Sequence, residues 1–146
     1  MARDRSRWEE AERVFREALE LDPKDVHIRT ELGRLLAQER DRWKEAERVL
    51  REAMEFDPEN IPPRTELGRL LAQDRSRWEE AERVFRDALE IDPENVPIRS
   101  ELGRLLAQDR DRREEAERVF RDALELDQGR LYQYRLRQPR KAEHAV

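Results

Sequence analysis

Few residues in this chain of 146 are of a type that does chemistry, and their spacing decides against each in turn. The two histidines, His27 and His144, lack the second histidine one helical turn away that a helical metal site requires. His27 also stands where sister segments carry Pro62 and Pro97, which marks it as a surface variant. Ser6, Ser76 and Ser100 have no histidine beside them to act as base. There is no cysteine, hence no thiolate nucleophile, disulfide or sulfur-based metal site. No glycine-rich loop exists to cradle a phosphate. Carboxylates are plentiful, but they precede arginines by four residues at Glu9–Arg13, Glu12–Arg16, Glu79–Arg83 and Glu82–Arg86. That is the spacing of helical ion pairs worth about 0.2–0.5 kcal/mol each, and it predicts solvated faces rather than acid–base pairs. The expectation is a chain without catalysis, cofactor or metal.

Composition says what kind of scaffold carries these residues. Apolar residues make up 36% and charged residues 46%, too little oil for a thick core. The apolar residues are periodic, which argues against disorder. A thin solenoid, in which each helix buries one stripe, satisfies both. The net charge of -5 gives no general attraction to nucleic acid or anionic membranes. No apolar run approaches the roughly 20 residues that cross a bilayer. The start, MARDRSRWEE, has no apolar stretch of the signal-peptide kind, so a cytoplasmic chain is expected.

The chain repeats itself every 35 residues at Trp8, Trp43 and Trp78, at Pro23, Pro58 and Pro93, and at Gly33, Gly68 and Gly103. Residues 6–40 and 76–110 differ only at 17/87, 21/91, 24/94, 25/95, 27/97, 30/100 and 39/109. Each unit reads as two helices. Trp43, Ala46, Leu50 and Ala53 fall on one helical stripe, widened by Val49 and Met54, and Asp-Pro ends that helix. Ser6 and Ser76 precede Glu9 and Glu79 by three residues, the capping-box spacing. The other helix starts near Asn60 or Asn95, tolerates Pro62, Pro63 and Pro97 in its first turn, and carries Leu67, Leu70 and Leu71. Its mid-helix glycine costs about 1 kcal/mol relative to alanine, which predicts a close helix contact at Gly33, Gly68 and Gly103. The tryptophans are expected to pack between helices rather than to form a ligand ladder.

Leu32-Gly33, Leu36, Ala46, Leu50, Ala53 and Pro58, with their counterparts in the next two units, resemble the tetratricopeptide repeat over roughly residues 6 to 127. The period is one residue longer than that family's usual 34, the extra residue falling in the turn around Gln38–Arg42, which also lacks the usual glycine. Arg29, Arg64 and Arg99 stand where the family often has a large apolar residue. The period also suits RNA-binding pentatricopeptide repeats, but the interval from Ala81 to Pro93 is the tetratricopeptide one. The resemblance implies an all-α, right-handed solenoid of antiparallel helix pairs. The array spans residues 1–127: an unpaired helix over about 6–21, then pairs over about 25–56, 60–91 and 95–126. Gln128 then replaces the proline and Gly129 supplies a helix stop. Residues 128–146 are expected to form a basic cap or tail, with Leu131, Tyr134 and Leu136 in a short helix that Pro139 ends, or else to be disordered.

In that family the first helices of the pairs line a concave, protein-binding groove. By register the lining residues here are Thr30, Arg34 and Gln38, then Thr65, Arg69 and Gln73, then Ser100, Arg104 and Gln108, with His27, Pro62 and Pro97 at the mouth. The arginine ladder suits an acidic peptide or a C-terminal carboxylate. The competing reading has each arginine satisfied by Glu31, Glu66 or Glu101, three residues earlier. Trp8, Ala11, Phe15 and Ala18 on the unpaired helix make an open apolar stripe, expected to be covered by another copy of the chain or by further repeats. The functional expectation is a scaffold binding a protein or peptide in its groove and self-associating through that stripe. The alternative is a purely structural or engineered array with no dedicated ligand, and RNA binding through the basic tail stands third.

Overall fold

The computed structural model describes residues 2–138, and among them every element is helical. The helices are α1 (Ala2–Leu21), α2 (Val26–Leu36), α3 (Trp43–Phe56), α4 (Ile61–Ala72), α5 (Trp78–Ile91), α6 (Val96–Ala107) and α7 (Arg113–Arg137). Antiparallel pairing follows the repeat: α2 packs on α3, α4 on α5 and α6 on α7. The chain separates into two compact units, Met1–Pro93 with α1 to α5 and Glu94–Val146 with α6 and α7.

Local sequence accounts for the helix starts. Asp25 and Asn95 cap α2 and α6, their side-chain oxygens accepting the N–H of Ile28 at 2.9 Å and of Ile98 at 3.0 Å. Asn60 holds the same place before α4 without a side-chain cap, and prolines occupy that helix's first turn. The turn inside each pair manages without glycine by folding a short 3-10 turn, at Arg40–Arg42, Arg75–Arg77 and Arg110–Arg112. Asp74 and Asp109 start two of these turns in extended geometry, accepting the N–H of Ser76 at 3.0 Å and of Asp111 at 2.9 Å. No described residue needs a positive φ.

This overturns the capping-box expectation. Ser76 lies inside the 3-10 turn and gives its hydroxyl to Asp74 at 2.7 Å, while Ser6 lies inside α1. Asp74, two residues before the serine, is the acceptor that starts the turn. The indoles complete the turns: Trp43 and Trp78 donate Nε1–H to the carbonyls of Ala37 and Ala72, both at 2.9 Å. They are half-buried, each flanked by an arginine (Arg40 or Arg75) 5.2 to 5.4 Å from the ring centre.

The core is the expected set of stripes. Ala46, Val49, Leu50 and Ala53 of α3 and Ala81, Val84, Phe85 and Ala88 of α5 are buried, as are Leu32, Leu36, Leu67, Leu70 and Leu71 of the helices they meet. The mid-helix glycines are contact points. A Cβ on Gly33 would stand 2.6 Å from Leu50, one on Gly68 would sit inside the Phe85 ring's contact distance, and one on Gly103 would come within 2.7 Å of Phe120.

Gly129 does not stop a helix. α7 runs through it without a break, because Gln128 keeps the N–H that proline removes elsewhere and Gly129 has no left-handed φ. The separate short helix expected after it is therefore the end of α7, with Leu136 left exposed. Pro139, Lys141, His144 and the side chains of Leu131 and Tyr134 lie outside the described residues.

Candidate protein-binding surface

The predicted groove residues lie on α2, α4 and α6, and their exposure sorts them. Thr30 is buried and gives its hydroxyl to the Val26 carbonyl at 2.8 Å, so it serves its own helix. Thr65 does the same with Ile61 at 3.2 Å and is half-buried, as is Ser100. Arg34, Arg69 and Arg104 are exposed, as are Gln73 and Gln108 just past the helix ends and His27, Pro62 and Pro97 at the other ends. Arginine and glutamine, one helical turn apart, are thus the polar groups each first helix presents.

Each arginine has the glutamate three residues before it as a partner. The distances are 3.2 Å for Arg34–Glu31, 3.2 Å for Arg69–Glu66 and 3.5 Å for Arg104–Glu101. Arg34 also reaches across to Glu66 of the next first helix at 3.0 Å. Glu66 is buried, and two guanidiniums neutralise it there. In the first unit the ladder is therefore stitched from within. Arg104 differs, since its side chain is 70% exposed and its pair with Glu101 is the longest of the three. The Arg34–Glu66 link has a sequence signal, an arginine and a glutamate 32 residues apart, that the local i, i+3 reading overlooked.

A second ion-pair system joins the second helices. Arg42 grips Glu12 of α1 with both terminal nitrogens, at 2.9 and 2.8 Å, and holds Glu45 of α3 through Nε at 3.0 Å. Arg16 closes the ring by pairing with Glu12 at 2.9 Å and with Glu45. The next repeat copies it: Arg77 and Arg51 share Glu47 of α3 and Glu80 of α5. Glu9, Glu12, Glu79 and Glu82 were expected to form isolated i, i+4 pairs on solvated faces. Glu12–Arg16 and Glu82–Arg86 do form, but the first belongs to a four-membered, part-buried cluster between helices. Glu9 pairs with Arg5 at 3.6 Å.

The clusters titrate as their geometry requires. The Arg42 hydrogen bonds hold the Glu12 carboxyl below its ordinary 4.5, and those from Arg77 do the same for Glu47 and Glu80. A carboxylate depressed in the folded state binds its proton more readily when unfolded, so its contribution is full above about pH 4.5 and fades as pH falls below that. Glu47→Gln is therefore expected to lower stability by about 1 kcal/mol at pH 7 and by progressively less at pH 3. Urea midpoints of the two chains measured across that range check this, and a constant difference would refute it.

The unpaired stripe on α1 is also partly in place. Trp8, Ala11, Phe15 and Ala18 are half-buried, whereas their counterparts Ala46, Leu50, Ala53, Ala81, Phe85 and Ala88 are fully buried. Trp8 donates to the Leu35 carbonyl of the following helix at 3.2 Å, with Arg42 over its ring at 5.3 Å. Among the described residues there is no cluster of metal-ligating groups, and no helix is long and apolar enough to cross a membrane.

Helix pairs on this period, each closed by a mid-helix glycine against a leucine or phenylalanine of the partner helix, define a helical-repeat protein. The tetratricopeptide repeat family profile matches residues 2–62 and 72–138, and the chain belongs to that family. No curated protein matches it in sequence. Among solved structures it resembles MamA AMB-1, at 28% identity and a TM-score of 0.65, over 81% of this chain and 68% of that one. It also resembles MamA from Desulfovibrio magneticus RS-1, at 22% identity and a TM-score of 0.72, over 86% of this chain and 70% of that one. A third likeness is a thermophilic TPR protein of Thermus thermophilus, at 22% identity and a TM-score of 0.71, over 87% of this chain and 70% of that one. The fold is thus an α-helical solenoid of the kind that serves as a protein-interaction scaffold.

Proposed function

We propose that this chain is a non-catalytic scaffold that holds an acidic peptide or partner helix on the arginines and glutamines of its first helices. The observation that carries this reading is the repeated pairing of an exposed arginine with a glutamine one turn on: Arg34 with Gln38, Arg69 with Gln73 and Arg104 with Gln108. Glutamine amides can bond a peptide backbone, and a guanidinium already holding one carboxylate keeps further N–H donors for another. Arg104, the most exposed of the three, is the natural first contact for a carboxylate.

The test is titration of a fluorescein-labelled oligoglutamate with a free C-terminus into the chain and into the triple variant Arg34→Gln, Arg69→Gln, Arg104→Gln. The expected result is binding that weakens with added salt and falls at least about tenfold in the variant. Equal binding by both chains would sink the groove reading and leave a structural array as the better description.

A second reading, self-association through the α1 stripe, is favoured by Trp8, Ala11, Phe15 and Ala18 being only half-buried.

A further inference from the structure

The ends of the second helices carry a feature that neither the groove nor the core uses. α3 ends on Glu55-Phe56 and α5 on Glu90-Ile91, each followed by an aspartate, and α1 ends at the same register on Glu20-Leu21. Phe56 is 46% exposed and Ile91 39%. The core faces of α3 and α5 are closed by α2 and α4, so this exposure is built into the repeat itself. Arg29 of α2 lies over the Phe56 ring, 4.7 Å from its centre, and gives a hydrogen bond to the Pro23 carbonyl. A guanidinium held there leaves the ring wet where an apolar side chain would seal it. In the next pair Arg64 is tied in the same way to the Pro58 carbonyl, at 2.9 Å.

The adjoining glutamates are equally regular. Glu12, Glu47, Glu66 and Glu80 are all taken up by arginines. Glu20, Glu55 and Glu90 are exposed, and their carboxylates have no ion-pair or hydrogen-bond partner among the described residues. α1, α3 and α5 belong to one compact unit and run side by side, as the Arg16–Glu45 and Arg51–Glu80 bridges require, so their ends share an edge of it. That edge repeats acid, apolar, acid. It calls for a partner that repeats cation, apolar, cation. The longest acid-free run in the sequence, residues 128–142, supplies that pattern as Arg135-Leu136-Arg137 at the end of α7, and all three residues are exposed.

We propose that the end of α7 of a second copy docks on this edge, with Leu136 against the exposed Phe56 and Ile91 and with Arg135 and Arg137 among Glu55 and Glu90. The contact uses neither the groove arginines nor the α1 stripe. Its two sides are different surfaces, so copies add head to tail and the assembly grows past a dimer into a ring or filament. Charge selects this occupant: the edge repels an anionic lipid surface and nucleic acid, and it repels a second edge like itself. Exposed ion pairs contribute little each, so the association is weak and sensitive to salt.

Sedimentation of the full chain over a range of concentrations, in low salt and in about 0.5 M salt, reads the assembly directly. The average mass is expected to rise with concentration in low salt and to fall back in high salt. Two charge-reversed chains test the contact, one carrying Glu55→Lys and Glu90→Lys, the other Arg135→Glu and Arg137→Glu. Each alone should associate at least about tenfold more weakly, because like charges then face each other. Their thermal midpoints should not move, since all four side chains are exposed. Mixing the two chains should restore association, a rescue that damage to the fold cannot produce. A concentration-independent monomer in low salt overturns the proposal. So does assembly that persists in either reversed chain, which would belong to another surface such as the α1 stripe. Loss in both chains without rescue on mixing also overturns it, because the two sites would then not face each other.

Discussion

Phe85→Ala is expected to cost about 4 kcal/mol of folding free energy, the largest loss of any single truncation in the chain. Among the described residues Phe85 is the biggest fully buried side chain, and it closes α5 onto α4 with its ring over Gly68. Truncation would remove the transfer energy of the ring and leave a cavity that the rigid Gly68 backbone cannot collapse into. The repeat supplies internal controls. Phe120 occupies the same register on α7 but is 38% exposed, so Phe120→Ala should cost about half as much. Phe15 on α1 is half-buried and belongs with Phe120. Urea unfolding of the three variants checks the order. Equal losses at 15, 85 and 120 would mean that burial does not set the energy of this position.

That order bears on how much of the molecule its sequence discloses. The period, the stripes and the glycine contacts were legible because each is a local pattern repeated in register, and a solenoid builds its tertiary contacts from near neighbours. Trp43, Trp78 and Gly68 needed only the spacing of their own unit to be placed. The turn caps were misplaced because two acceptors, Ser76 and Asp74, lie two residues apart, and the 3-10 turn that selects the aspartate leaves no periodic mark. The Gly129 stop failed for a related reason. Glycine permits a left-handed cap, but a helix ends there only if something competes for its carbonyls, and α7 continues unbroken past it.

Register alone puts the candidate surface on Arg34, Arg69 and Arg104, and all three are exposed. What spacing within one helix does not disclose is a partner on the next. The Arg34–Glu66 bridge and the Arg42–Glu12–Arg16–Glu45 cluster both link residues 29 to 32 apart in sequence, where no local rule reaches. Thr30 was placed on the same surface by register, yet a threonine hydroxyl has its own helix carbonyl within reach and turns inward to it.

Gly68→Ala is expected to destabilise the chain by about 2 kcal/mol although alanine is the better helix former by about 1 kcal/mol. The new methyl would meet Cζ of Phe85 at 2.7 Å, and the ring has no room to give because Phe85 is wholly enclosed. Overpacking therefore outweighs propensity. At Gly129 the same substitution meets nothing within 4 Å, the helix runs straight through, and propensity acts alone. Gly129→Ala should stabilise by about 0.5–1 kcal/mol. The decisive comparison is Gly68→Ala placed in the Phe85→Ala background. With the ring gone, the methyl finds space, and the substitution should change sign and become stabilising. Additive losses in the double variant would show that Gly68 is required for some reason other than the ring above it.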